Sequence, residues 1–160
     1  MADKLLRIYL QDHLAGSTGG VELARRAAGA AEGTTYGDAL AKLADEIEAD
    51  RRVLESIMEE LGFGADRAKN LAFWAVEKAG RLKLNGRLTS PSPLSRLVEL
   101  EGLLTGINGK LSLWRALLEI VPDEPRLDAA RLGQLLERGQ EQLGIVEGLR
   151  DRAARDALLA

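Results

Sequence analysis

The chain has 160 residues, enough for one domain in which roughly 70% of the unfolded surface becomes buried. Hydrophobic residues make up 46% and charged residues 29%, which is typical of a globular protein and not of a disordered or membrane-embedded one. The net charge is −3, no block of lysine and arginine exceeds a pair, and aromatic residues are only 4%, so we expect no binding to nucleic acid. Because cysteine is absent, disulfides and thiolate metal sites are excluded.

The start of the chain, MADKLLRIYLQDHL, carries charges within its first apolar stretch and lacks the core of a signal peptide. No run approaches the roughly eighteen apolar residues that a membrane-spanning helix needs. We therefore expect a soluble, cytoplasmic protein that does not act at a membrane.

In chain order, the first predicted element is a long helix from about Asp3 to Glu32, with apolar residues at helical spacing. Thr35 followed by Asp38 resembles a capping box, which predicts that a second long helix begins there. This helix carries Asp50 within its apolar stripe and ends at Gly62, the residue type favoured just after a helix end.

The next segment, from Phe63 to Pro91, is a long connection in which apolar spacing predicts a short helix that ends at Gly80. This segment joins Phe73 and Trp74 to several basic residues, a composition that also occurs in helices lying on membrane surfaces. We favour a short helix that covers one end of the protein and keep attachment to a membrane surface as an alternative.

Ser92 and Pro93 provide an N-cap and a first-turn proline for a third long helix, which runs to Val121. Pro122 to Pro125 interrupt the chain, and a fourth helix continues to the C-terminus. No strand-like alternation occurs. Two short turns and one long crossover predict an all-α, single-domain protein over residues 1–160, with the ferritin-like arrangement of a four-helix bundle.

Two segments carry a family resemblance: LADEIEADRRVLESIMEELG in the second helix and VELEGLLTGINGKL in the third. Together with the helix order, they make the chain similar to the ferritin-like superfamily across most of its length. That resemblance implies a glutamate from each of helices 1 and 3 and a Glu-x-x-His motif from each of helices 2 and 4. The matching positions hold, in chain order, Ser17, Ile47 with Asp50, Glu101, and Glu137 with Gln140, and Glu46 lies beside Ile47.

Most of the implied ligands are therefore replaced, and a di-iron centre would lack its imidazoles. We expect no cofactor and neither di-iron oxidase nor iron-storage activity. Three acids, Asp50, Glu101 and Glu137, are expected to approach one another inside the bundle with Gln140 nearby, where mutual repulsion requires proton sharing or an arginine partner.

A metal site that uses these residues is the alternative. His13 lies one helical turn before Ser17 and could reach inward at the same level. The candidate metal ligands are His13, Glu46, Asp50, Glu101, Glu137 and Gln140. Such an oxygen-rich set suits Mn²⁺, Mg²⁺ or Ca²⁺, while the family resemblance adds Fe. We favour a hydrogen-bonded polar core over a metal site, since buried polar networks persist without a metal.

Glycines inside the predicted helices form three pairs spaced four residues apart: Gly16 with Gly20, Gly102 with Gly106, and Gly144 with Gly148. Each pair opens a notch on one helix face, which predicts close helix packing or, alternatively, a cleft for a ligand or a surface for a partner subunit. We therefore expect a non-enzymatic bundle that acts by self-association, as a homodimer, or by binding a partner or small ligand. A metal-dependent enzyme is the alternative.

Overall fold

The computed structural model describes residues 2–64 and 92–159. In these two stretches the chain forms four long α-helices and a 3₁₀ turn, without any strand. The helices are α1 (Ala2–Ala30), α2 (Gly37–Glu60), α3 (Pro93–Ile120) and α4 (Ala129–Leu158), and the 3₁₀ turn is Val121–Asp123. The predicted all-α class is confirmed for this part of the chain, while the helix predicted in the crossover lies outside the described residues.

The beginning of α3 confirms the predicted cap. The Ser92 hydroxyl accepts a hydrogen bond from the Ser95 amide at 3.1 Å, and Pro93 occupies the first turn, where its missing N–H costs nothing. The end of α2 is also as predicted. Gly62 has a φ of 76°, and the Phe63 amide donates to the Met58 carbonyl at 2.8 Å, so the glycine reverses the chain as helix-terminating glycines do.

The capping box predicted at Thr35 and Asp38 is wrong. Tyr36 immediately precedes α2 and makes no side-chain cap hydrogen bond. The turn is instead stabilised from within by Thr34, whose hydroxyl donates to the Ala31 carbonyl at 2.6 Å and accepts from the Tyr36 amide at 3.2 Å. A threonine that bonds to its own turn in this way removes the need for a capping residue closer to the helix.

The hydrophobic core has two halves, which together give the helix directions. One half joins the C-terminal parts of α1 and α4 to the N-terminal parts of α2 and α3. The other half joins the N-terminal parts of α1 and α4 to the C-terminal parts of α2 and α3. Representative residues are Ala24, Leu43, Leu100 and Val146 in the first half, and Leu10, Ile57, Trp114 and Leu132 in the second. Hence α1 and α4 run in one direction, and α2 and α3 run in the other.

Each short connection therefore joins two antiparallel neighbours, α1 with α2 and α3 with α4, and these pairs form the most extensive helix contacts. The two pairs meet mainly where α1 packs against α3. None of the helices in the described part contains a stretch that is both long and apolar enough to cross a membrane.

Candidate functional site

A buried polar cluster lies between α2, α3 and α4, and its centre is Asp50, which is only 2% exposed. Lys110 from α3 donates a hydrogen bond to Asp50 Oδ2 at 2.5 Å, and Arg138 from α4 donates to Oδ1. Gln142 from α4, fully buried, accepts from Lys110 and donates to Asp50 Oδ2 and to Glu46 at 3.2 Å each. The carboxylate is thus held by two cations and an amide.

Each negative group of this cluster lies next to a positive one. Asp50 is paired with Lys110 and Arg138, and Glu46 forms an ion pair with the exposed Lys42 at 3.7 Å. Burial lowers the pKa of the Lys110 ammonium, and the nearby Asp50 carboxylate opposes that shift. An isolated charge in such a place would be costly, whereas charges that are paired and hydrogen-bonded are tolerated. The arginine partner expected for the buried acid is therefore present as Arg138.

The prediction that Asp50, Glu101 and Glu137 approach one another inside the bundle is wrong. Glu101, Glu137 and Gln140 are exposed, whereas Glu46 is half-buried next to Gln142. In α3 the core face follows Leu100, Leu103 and Ile107, so Glu101 is rotated by about 100° from Leu100 and points to solvent.

In α4 the buried positions are spaced by three and four residues alternately, as in a heptad pattern, and Glu137 and Gln140 fall between them. These buried positions are Leu132, Leu135, Gly139, Gln142 and Val146. Leu136 and Leu143 lie beside this stripe and are only partly buried. Because they are leucines, the sequence alone did not show which face of α4 points to the core. Within the described residues, no three histidine, aspartate or glutamate side chains gather as a metal site.

A sequence signal for the true cluster does exist, because each of its central residues interrupts a heptad stripe. Asp50 falls between Ile47 and Leu54, and Lys110 falls between Ile107 and Trp114, each three residues after the first and four before the second. Gln142 stands in the same relation to Gly139 and Val146. Three facing helices that each place one polar residue in the stripe predict a polar layer, without any family motif.

Beside this cluster, α1, α2 and α3 enclose an elongated, partly open cavity of about 490 Å³, hereafter the α1–α3 cavity. Its wall on α1 is Asp12, His13, Gly16, Ser17 and Gly20; on α2 it is Ile47, Asp50, Arg51 and Leu54; and on α3 it is Gly102, Leu103, Thr105, Gly106, Ile107, Gly109, Lys110, Leu113 and Trp114. Two of the candidate metal ligands, His13 and Asp50, thus face the same space, and the His13 ring packs edge-on against Tyr9 with centroids 4.6 Å apart.

The glycines in this wall differ in how closely neighbouring side chains pack against them. A Cβ atom added at Gly102 would lie 2.9 Å from the Leu23 side chain, so close packing explains that glycine. At Gly16, Gly20 and Gly106 an added Cβ would meet no neighbouring heavy atom within 4 Å in the described part of the chain. Close packing was the favoured interpretation of these notches, but at those three positions no described residue packs close to the glycine.

Two N–H groups on wall residues are buried and have no hydrogen-bond partner among the described residues: Trp114 Nε1 and Arg51 Nε. Trp114 is 1% exposed, while Arg51 forms an ion pair with Glu55 through Nη1 at 3.1 Å. Lys110 has three N–H bonds, and the described structure gives it two acceptors, Asp50 and Gln142. The wall also carries acceptor oxygens, on Asp12, Ser17 and Thr105.

Comparison with known proteins returns no match for this chain, either among protein-family models, among curated proteins or among solved structures. A function is therefore inferred from the geometry of the α1–α3 cavity and of the polar cluster beside it.

Proposed function

We propose that this protein is a ligand-binding helical bundle whose α1–α3 cavity holds a small, mainly apolar molecule, and that it does so without catalysing a reaction. The observation that carries the proposal is the cavity of about 490 Å³ whose wall is kept open by glycines. Its size lies within the range of roughly 300–1,000 Å³ that is usual for small-molecule sites. Aliphatic side chains on α2 and α3, together with polar groups from all three helices, give it the usual chemistry of such a site.

The cost of the glycines supports this proposal. Gly16, Gly20, Gly106 and Gly109 lie inside helices, and none would bring an added Cβ within 4 Å of a described neighbour. Each glycine in a helix interior costs about 1 kcal/mol relative to alanine, or roughly 4 kcal/mol for the four. That is a large part of the 5–15 kcal/mol that is typical of a whole domain. Packing among the described residues does not offset this cost, whereas a ligand in the cavity would.

A ferritin-like ancestry is part of the proposal. The antiparallel pairs α1–α2 and α3–α4, with α2 and α3 parallel, form the order expected for a ferritin-like bundle with one long crossover. In this view the former metal layer has become the ion-paired cluster around Asp50. The Lys110 and Arg138 side chains occupy both oxygens of Asp50, which speaks against the alternative that Mn, Fe or Ca binds there.

We also propose that the protein is a cytoplasmic homodimer. Exposed aliphatic side chains lie in two groups at opposite ends of the bundle, Leu5 with Ile8 near the start of α1 and Leu94 with Val98 near the start of α3, and either group could contact a second copy. Two-fold dimers are the commonest oligomers, and light scattering after gel filtration measures the state directly.

A matched pair of glycine variants tests the binding function. Gly106 and Gly144 both lie inside helices and both have open space at Cβ, but only Gly106 is part of the cavity wall. Replacing either by leucine improves helix propensity by about 1 kcal/mol, so both variants should remain folded. We expect the neutral dye Nile red to increase in fluorescence with the wild type and with Gly144→Leu, and to bind at least tenfold more weakly to Gly106→Leu. Equal binding to both variants, or no binding to the wild type, would contradict the proposed site.

A further inference from the structure

We infer, as an extension of the proposed homodimer and ligand site, that a second copy of this chain docks on the outer face of α1 and α3 and closes the mouth of the α1–α3 cavity. The ligand site is then complete only in the dimer, so that ligand binding and dimerisation strengthen one another. Three features lead to this partner: the place where the cavity opens, the glycines at the centre of that face, and the symmetry of the groups around them.

The cavity opens on the outer face of α1 and α3. The wall residues that are exposed to solvent mark its mouth: Asp12, Gly16, Thr105 and Gly106. Ile8 lies four residues before Asp12, which places both on one face of α1. Val98 lies seven residues before Thr105, which places both on one face of α3. The mouth and the exposed aliphatic side chains in line with it form one surface, hereafter the α1–α3 face.

The centre of the α1–α3 face is formed by glycines of both helices. The Leu23 side chain lies 2.9 Å from the position of a Cβ at Gly102, which fixes the register of the two helices. Because the helices are antiparallel, Gly19, four residues before Leu23, is level with Gly106, four residues after Gly102. A Cβ at either position would meet no described neighbour within 4 Å. The backbone of another helix can therefore approach closely at this point.

Charged groups are placed symmetrically about this centre. Asp12 precedes Gly19 by seven residues and Arg26 follows it by seven, so all three lie on one face of α1. A two-fold axis that passes between the copies at Gly19, perpendicular to α1, places Asp12 of each copy opposite the partner's Arg26. The Arg26 side chain is 68% exposed and bonds to Glu99 through Nε, which leaves its Nη groups for a second carboxylate.

The same axis brings the apolar groups together. Leu5 and Ile8 are exposed near the start of α1, and the other group, Leu94 with Val98, is exposed at the opposite end, near the start of α3. Rotation about the axis exchanges the two ends, so each group of one copy meets the other group of its partner. A surface that maps onto itself in both charge and hydrophobicity fits a second copy of this chain.

The size of the α1–α3 face also fits a dimer. With Leu23 level with Gly102, the distance from the level of Leu5 to that of Leu94 is about 40 Å, at about 1.5 Å per residue. Two packed helices are about 20 Å wide, which gives roughly 800 Å² on each copy. Stable interfaces of standard size bury about 800 Å² on each partner.

Docking of the second copy changes the ligand site, because the partner covers the exposed residues of the mouth. A ligand in the cavity is then shielded from water in the dimer and not in the monomer. By linkage, a ligand that binds the dimer more tightly must strengthen dimerisation by the same factor. We expect saturating Nile red to strengthen dimerisation of the wild type by roughly fivefold or more in sedimentation equilibrium.

Gly19→Arg tests the interface, and Gly144→Arg is its matched control. Both glycines lie inside helices with open space at Cβ, but Gly144 is on α4, outside the α1–α3 face. Arginine has a better helix propensity than glycine, so both variants should fold. We expect Gly19→Arg to weaken dimerisation roughly thirtyfold or more, as loss of a central contact does, and Gly144→Arg to leave it unchanged.

A charge swap tests the symmetry of the contact. Asp12→Arg and Arg26→Asp each place like charges opposite one another at two symmetric positions, and we expect each to weaken dimerisation about tenfold. The double variant restores opposite charges and should return to within about threefold of the wild type. Damage to the fold would not be repaired by the second substitution.

The outcomes separate this inference from the proposed function. Unchanged dimerisation of Gly19→Arg, or a double variant weaker than both single ones, would overturn the interface and leave a homodimer through another face. A wild type that binds Nile red as a monomer would overturn the inference and leave the ligand site standing. Dimerisation unchanged by bound Nile red would overturn the closure of the cavity. Failure of Nile red to bind the wild type would instead contradict the proposed function itself.

Discussion

Replacement of Asp50 by asparagine tests the polar cluster with almost no change of shape. The variant removes the negative charge that partners Lys110, whose side chain is 15% exposed, and Arg138, whose side chain is 38% exposed. Removing one partner of a buried ion pair costs about 3–5 kcal/mol, because the other charge stays buried without compensation. Since Arg138 can turn towards water and Glu46 remains nearby, we expect the lower end, about 3 kcal/mol.

For a chain of this size, such a loss corresponds to a fall in Tm of roughly 6–12 °C. Urea denaturation followed by far-UV circular dichroism measures the free energy of unfolding. Asp45→Asn is the matched control, because its ion pair with Arg25 is exposed to solvent and screened, so its loss should change stability little. A free energy of unfolding for Asp50→Asn within about 0.5 kcal/mol of the wild type would refute the reasoning, since surface substitutions have effects of that size.

A double-mutant cycle separates the pair from its surroundings. We expect the double variant Asp50→Leu with Lys110→Met to lose less stability than the sum of the two single variants, with a coupling of about 1–3 kcal/mol. The physical reason is that the double variant removes both buried charges together, and replacing a buried ion pair by apolar residues is often neutral. Strict additivity of the two single effects would show that Asp50 and Lys110 do not interact as the structure has them.

Two further predictions concern the ends of the bundle. Tyr36→Phe removes a 2.7 Å hydrogen bond from the Tyr36 hydroxyl to Asp156 and leaves the ring buried. We expect the free energy of unfolding, measured by urea denaturation, to fall by about 1 kcal/mol. An unchanged free energy of unfolding would contradict this bond. The pKa of Glu124 is below its ordinary value of 4.5 because Arg126 donates hydrogen bonds to its carboxylate. The stability that this pair contributes is therefore fully present above the unfolded pKa and is lost as the pH falls through the folded pKa. Glu124→Gln should therefore flatten the acid limb of stability against pH, and an unchanged limb would show that the pair does not stabilise the fold.

The helices could be predicted from the sequence because local signals determine them. Ser92 and Pro93 begin α3, and Gly62 follows the end of α2, since capping chemistry depends on a few adjacent residues. The start of α2 was missed by one residue, because Thr34 satisfies the turn in a way that a search for capping boxes does not consider. Helix directions followed from connection lengths alone, and the two halves of the core agree with them.

The candidate site was predicted in part, since Asp50 lies at the centre of the cluster, Glu46 bonds to Gln142 and His13 lies on the cavity wall. Asp50 lies in a regular apolar stripe and was therefore placed in the core, whereas the family pattern drew attention to Glu101 and Glu137, which lie on helix flanks. The cavity could not be predicted, because glycines spaced four apart permit either close packing or open space. Gly102 packs against Leu23 and Gly106 does not, and that difference depends on the position of the neighbouring helix.

The central claim is that the α1–α3 cavity binds an apolar ligand, and intermolecular nuclear Overhauser effects from bound Nile red to the protein's methyl groups test it most directly. The account predicts contacts from the dye to Ile47, Leu103 and Ile107, which line the cavity, and none to Ile145, which is exposed on α4. These contacts should vanish in Gly106→Leu and persist in Gly144→Leu. Contacts to Ile145 instead of the three cavity residues, or contacts unchanged in Gly106→Leu, would contradict it.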